Sequence, residues 1–154
     1  MIEKLNLYDT AIAREIIELQ RASYQIEADL IGYPEIPTLK DTIETIRESG
    51  EIFYGYYRKD KIAGIISYKY YDEILDLHRV AVHPNYFNQG IAGQLLMFIE
   101  TVEKDIKKIV VCTGKMNFPA VNLYAKYGYK KIKDFCIDKD VFMTEFEKDI
   151  INNL

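Results

Sequence analysis

Leu77-His78-Arg79-Val80-Ala81-Val82-His83-Pro84 runs shortly afterwards into Asn88-Gln89-Gly90-Ile91-Ala92-Gly93. The first segment alternates and carries β-branched residues, the signature of a strand. Pro84 and Asn85 stop it. The second is a small-residue turn opening onto Gln94-Leu95-Leu96-Met97-Phe98-Ile99-Glu100, the start of an amphipathic helix. A strand that feeds a glycine turn at a helix N-terminus leaves backbone N–H groups pointing outward, where the helix dipole also favours negative charge. Glycine lets the backbone approach phosphate oxygens and take positive φ. The stretch therefore predicts a phosphorylated ligand held at the end of a strand.

Working outward, residues 2–7 alternate and predict a first strand. Asp9 or Thr10 caps a helix through about residue 30, with Ile12, Ile16, Ile17, Leu19 and Tyr24 on its apolar side. Gly32 to Pro37 breaks it. Residues 38–49 predict a second helix stopped by Gly50. Strands at 51–57 and 62–71 flank the polar turn Arg58-Lys59-Asp60-Lys61, and 74–82 adds a third strand to that meander. A helix over 89–104, a strand over 108–113, a helix over 119–127 closed by Gly128, and strands over 130–137 and 141–146 complete the order. This is mixed α/β: a meander, a strand-helix-strand crossover, then a helix and a hairpin.

The 154 residues suit one domain, 1–154, with a single core. A net charge of −4 argues against a general nucleic-acid binder. No apolar run reaches the length of a membrane span and no signal-peptide pattern opens the chain, so the expectation is a cytoplasmic protein without a membrane partner. Cys112 and Cys136 lack the spacing of a metal knuckle, and His78 and His83 form no cluster with them. The reading is two reduced, packed thiols and no metal site. The thirteen tyrosines suit a pocket of mixed polarity.

Three segments together resemble the GCN5-related N-acetyltransferase (GNAT) superfamily. The strand 77–84 looks like that family's fourth strand. Residues 87–92 resemble its Q/R-x-x-G-x-G/A pyrophosphate loop, with Phe87 at the first position and Asn88 in place of a common glycine. Asn117-Phe118-Pro119-Ala120-Val121-Asn122-Leu123-Tyr124-Ala125-Lys126-Tyr127-Gly128-Tyr129 is similar to its N-x-x-A-x-x-L-Y-x-K-x-G-F segment. The competing Rossmann fingerprint requires G-x-G-x-x-G after the first strand of a βαβ unit. Here the turn comes late and the glycine triplet is incomplete.

The resemblance implies a mostly antiparallel mixed sheet flanked by helices. It also implies transfer of an acetyl group from acetyl-coenzyme A to a primary amine, on a small molecule or peptide, by direct attack in a ternary complex. The rival reading is a non-catalytic acyl-coenzyme A sensor or interaction domain. The resemblance implies that the loop from Asn88 through Gln89, Gly90, Ile91, Ala92 and Gly93 to Gln94 holds the pyrophosphate, and that Val80, Ala81 and Val82 pair with the pantetheine arm. Asn117 also meets coenzyme A, the Val80 amide receives the oxyanion, and Tyr124 protonates the departing thiolate. Strand alternation puts Asp76, His78, Val80 and Val82 on one face, and Leu77, Arg79 and Ala81 on the other. The resemblance implies that Asp76 or His78 accepts the amine proton, with Glu73 a third choice. A homodimer is expected from family habit alone.

Overall fold

The computed structural model describes residues 1–150, so the expected domain limit at residue 154 lies outside the described residues. Asp9 opens the first long element. Its carboxylate accepts the Ala11 and Ile12 N–H groups and caps α1, Thr10–Ile31, which ends on Gly32 at a positive φ of 67°. The strands are β1 (Ile2–Lys4), which precedes α1, and β2 (Ile52–Arg58), β3 (Lys61–Tyr71), β4 (Ile74–Val82), β5 (Lys108–Gly114), β6 (Lys130–Asp138) and β7 (Val141–Asp149), which follow it. They form one sheet in the order β1-β2-β3-β4-β5-β7-β6. Every pairing is antiparallel except β4 with β5, the pair joined by the crossover helix α3, Ile91–Ile99. This is the expected mixed α/β sheet.

Each face of the sheet has its own core. Leu75 and Leu77 of β4 pack with Ile91, Leu95, Leu96 and Ile99 of α3 and with Tyr124 of α4, Phe118–Lys126. On the opposite face Ala81 packs with Ile16, Ile17, Leu19 and Tyr24 of α1 and with Ile46 of α2, Ile43–Glu48. The sheet lies between two helical layers, each buried through one apolar stripe.

Three local expectations need correction. The helix over 38–49 is interrupted: a short turn at Pro37–Lys40 gives way to extended Asp41 before α2 begins. Asp41 turns inward to Arg79 and Gln20, and Thr42 starts α2 with a reciprocal capping box to Thr45. The helix over 89–104 spans only Ile91–Ile99, because Thr101 folds back and gives both its N–H and its hydroxyl to the Phe98 carbonyl. The simple alternation of β4 also fails. Leu77 faces Tyr68 and Arg79 faces the preceding Ser67, so His78 is the extra residue of a β-bulge. The bulge re-phases the strand: Leu77 and Val80 share the α3 face, whereas Arg79 and Ala81 lie on the α1 face.

Candidate active site

β4 and β5 run together only from Ile74 opposite Lys108 to Leu77 opposite Val111. Beyond that pair β4 continues with β3 and β5 with β7, and the two strands part. The phase of the β3–β4 ladder decides what faces the gap. His83 N–H donates to the Ala63 carbonyl at 2.8 Å. Bonded and non-bonded pairs alternate in an antiparallel ladder. Ala81 and Arg79 therefore spend their backbone groups on β3, while the N–H and C=O groups of Val80 and Val82 point toward the departed β5. A sheet edge is thus left open inside the molecule.

The next turn adds a second set of donors. Asn88 and Gly90 both take left-handed backbone, with φ of 61° and 76°. Asn is the residue after glycine that best tolerates this conformation, which explains why it stands at a glycine position. Gly90 is the N-cap of α3 and no side chain caps the helix. The first helical bond runs from Gln94 N–H to the Gly90 carbonyl at 3.0 Å, so the Ile91, Ala92 and Gly93 amides lead off the helix without an intrahelical partner. Gln94, the last residue of the expected loop, spends its amide in the helix and is not among the residues that border the cavity described next. Gly93 has a steric role: a Cβ at that position would lie 2.0 Å from the hydroxyl of Tyr127, the C-cap of α4 (Phe118–Lys126).

These elements border a cavity of about 620 Å³. Val80, Ala81 and Val82 line one wall, and Asn88, Gln89, Gly90, Ile91, Ala92 and Gly93 line another. Asn117, Tyr124 and Lys126 close it from α4. Asn117 is also the N-cap of α4, accepting the Ala120 N–H. A smaller cavity of about 80 Å³ continues past Val80 and Tyr124 into the cleft between the strands, where Tyr24, Glu27, His78 and Cys112 border it. Tyr124 is 4% exposed, and burial raises its hydroxyl far above the ordinary tyrosine range, so it stays protonated. Burial acts on Tyr24 in the same direction, with the Glu27 charge adding to it.

Beside the small cavity sits a buried ionic network. Arg79 donates to Glu51 through Nε at 3.0 Å, and to Gln20 and Asp41 through Nη1. Its guanidinium lies 5.3 Å from the centroid of the Phe53 ring. Burial works against its charge, and Glu51 and Asp41 more than offset that. Ser67 donates to the same Glu51 at 2.6 Å. His78 is bracketed by carboxylates, with Asp76 Oδ2 at 3.2 Å from Nε2 and Glu51 Oε2 at 3.7 Å from Nδ1.

Of the proposed bases, His78 borders the small cavity, Asp76 stands behind its ring, and Glu73 lies in the turn before β4, paired with Lys107. Cys112 and Cys136 are free but exposed rather than packed in the core, and Cys112 borders the small cavity. Glu27 escaped the sequence reading. Its signal is a polar residue one turn from Tyr24 on the buried stripe of α1, in line with buried Gln20. Burial pushes the Glu27 carboxyl up, against hydrogen bonds from Asn117 and Thr113 that work the other way.

An internal sheet edge beside an uncapped helix N-terminus is an arrangement suited to an extended, amide-bearing ligand ending in phosphates. A family model described as "Acetyltransferase (GNAT) family" matches residues 13–129, and the chain belongs to that family. The chain is 40% identical over 146 residues to UPF0157 protein YqkA of Bacillus subtilis (strain 168). That match covers 95% of this chain but only 43% of the relative, so the chain spans less than half of that protein's length. The ribosomal-protein-S18-alanine N-acetyltransferase from Escherichia coli superposes with a TM-score of 0.78 at 14% identity, over 99% of this chain and 95% of that one. The PaiA N-acetyltransferase from Thermoplasma acidophilum, solved in complex with coenzyme A, superposes at 0.72 with 23% identity, over 94% and 96%. At these identities the likeness is one of fold. Among the described residues no helix is long and apolar enough to cross a membrane.

Proposed function

We propose that the protein moves an acetyl group from acetyl-coenzyme A to a primary amine by direct attack within a ternary complex. The observation that carries this is one cavity bordered by the open Val80–Val82 backbone, the uncapped N-terminus of α3 and the protonated Tyr124 hydroxyl. The three features answer the three parts of the donor. Partnerless amides at a helix N-terminus suit a pyrophosphate. An unpaired strand edge suits pantetheine, whose amides join as an added strand would. A buried hydroxyl that resists ionisation suits proton delivery to a departing thiolate. A structural neighbour solved with coenzyme A supports the same ligand class.

In this reading the Val80 N–H receives the oxygen that gains charge as the amine nitrogen attacks the thioester carbon. The carbon–sulfur bond then breaks with its electron pair on sulfur. Tyr124 gives its proton to sulfur as it takes one from the new amide nitrogen, because its burial makes a free phenolate costly. The base for the first proton belongs to the border of the small cavity, where Glu27 and His78 are found, His78 with Asp76 behind its ring. Exposed thiols that form no disulfide suit a reducing compartment such as the cytoplasm.

Coenzyme A is expected to raise Tm, and acetyl-coenzyme A with a panel of amines is expected to release thiol. Tyr124→Phe is expected to lower kcat about 10²-fold without weakening coenzyme A binding. No Tm response to coenzyme A sinks the proposal. A Tm response with no turnover across a broad amine panel instead supports a non-catalytic binding domain.

A further inference from the structure

We propose that Glu27 binds the acceptor's ammonium and takes its proton, and that the site selects primary amines with no carboxylate on the amine-bearing carbon. This rests on the acyl-transfer reading above and names the acceptor side of that same site. The small cavity begins where the donor cavity ends, with Val80, Asn117, Ala120 and Tyr124 bordering both. An amine attacking a thioester held along β4 has to approach from that side. The groups facing Glu27 there are Tyr24 on its own helix, His78 and Arg79 on β4, Cys112 on β5 and Tyr124 on α4.

Each of the others is committed or unsuited. Arg79 is engaged by Glu51, Asp41 and Gln20 through four hydrogen bonds. Both ring nitrogens of His78 are turned to carboxylates, Asp76 and Glu51. His78 is therefore held as a positioning residue beside the cavity. Tyr24 and Tyr124 are acids that resist ionisation, and burial pushes the Cys112 thiol up as well. Glu27 is the carboxylate bordering the cavity, and no salt bridge occupies it among the described residues. Its carboxyl is raised by burial, which brings a carboxylate base closer to the working pH of an enzyme.

The proton balance closes. The ammonium gives one proton to the Glu27 carboxylate and becomes a neutral amine with a lone pair. That pair forms the carbon–nitrogen bond, the carbon–sulfur pair leaves on sulfur, and the second nitrogen proton passes through Tyr124 to sulfur. Glu27 then returns its proton to solvent. The selectivity follows from charge. A free amino acid would bring its own carboxylate within a few ångströms of Glu27, and the one guanidinium nearby is already taken. That anion would be desolvated without a partner.

The test uses the full chain, acetyl-coenzyme A and matched acceptors differing by one carboxylate: 2-phenylethylamine against phenylalanine, tyramine against tyrosine, and agmatine against arginine. Expected is a kcat/KM at least tenfold higher for the amine of every pair that reacts. Glu27→Gln is expected to lose about 10²-fold or more in kcat/KM and the acid limb of its pH profile, where activity falls as pH drops through the Glu27 titration. Glu27→Asp is expected to restore that limb in part. Amine binding read as a Tm rise in the presence of coenzyme A is expected in wild type and not in Glu27→Gln. Equal rates for amine and amino acid, a wild-type profile in Glu27→Gln, or no amine response of either kind while coenzyme A still raises Tm overturns the proposal. That last result leaves the donor half of the functional reading standing, whereas loss of the coenzyme A response itself removes the reading beneath.

Discussion

Arg79 carries a charge into the interior and is only 7% exposed, yet its partners come from three separate parts of the chain: Gln20, Asp41 and Glu51. Such a network adds little net stability when complete, but losing one member strands the rest. Arg79→Met should leave Glu51 and Asp41 buried without a counter-charge and cost about 3–5 kcal/mol, read as a fall in Tm by thermal melt. Arg79→Lys should recover only part of this, because an ammonium cannot span Glu51, Gln20 and Asp41 as a planar fork does. An unchanged melt in Arg79→Met would show that the network is not structural. Glu27 behaves in the opposite sense. Its folded-state carboxyl titrates above its unfolded value, so the folded protein is penalised for ionising it at every pH above that range. Glu27→Gln should therefore raise Tm by a few degrees near neutrality, and the gap should close as pH falls to about 4, near the unfolded carboxylate range. A site that stabilises when disabled is the expected signature of strain kept for function. A Tm gap independent of pH would contradict it.

At the scale of elements, the contact between α3 and α4 fixes the shape of the donor cavity. Gly93 and Tyr127 touch where any side chain on α3 would collide with the ring. Gly93→Ala should cost about 1–3 kcal/mol as overpacking and weaken coenzyme A binding in calorimetry, since the shift displaces the amides at the head of α3. Tyr127→Ala in the same chain should restore binding more than stability, because it removes the clash but leaves a void. Failure of the second change to restore binding would assign Gly93 a role other than packing. The glycine was legible in the sequence as part of a small-residue turn, but its reason was not, since Tyr127 caps another helix. The same holds for the bulge at His78 and the break at Asp41. Alternation correctly delimits β4 and helical periodicity correctly delimits α1. Both describe only what neighbours in sequence do. His78 is extruded by the β3 register, and Asp41 is extended because it answers Arg79. The faces of β4 were misread for that reason, although Asp76 does stand beside His78 as expected. Glu27 was passed over because helical position alone does not say that a cavity lies opposite.

For the whole molecule, the parting of β4 from β5 leaves two halves of one sheet tied together at one end and open at the other. The strand, the turn and the motif around Tyr124 were readable in order, so the sheet and the residues that border the larger cavity followed from sequence. The acceptor side did not, because α1, β4, β5 and α4 meet there from distant parts of the chain. A ligand that fills the cleft should act as the missing strand. At about 100 times its Kd, coenzyme A should add about 2.7 kcal/mol by mass action, a Tm rise of roughly 5–10 °C for a domain of this size. Where that protection falls is more telling than its amount. The Val80 and Val82 amides face the cleft, whereas Arg79 and Ala81 are already bonded to β3 by the ladder phase that His83 and Ala63 set. Residue-resolved deuterium exchange with coenzyme A should therefore slow Val80 and Val82 at least tenfold, together with Ile91, Ala92 and Gly93, and change Arg79 and Ala81 only as much as the sheet as a whole. Uniform slowing across 79–82 would mean that the ligand merely stabilises the fold. No slowing at Val80 and Val82 would mean that it binds through the helix end alone, and the open strand edge would then have no part in holding it.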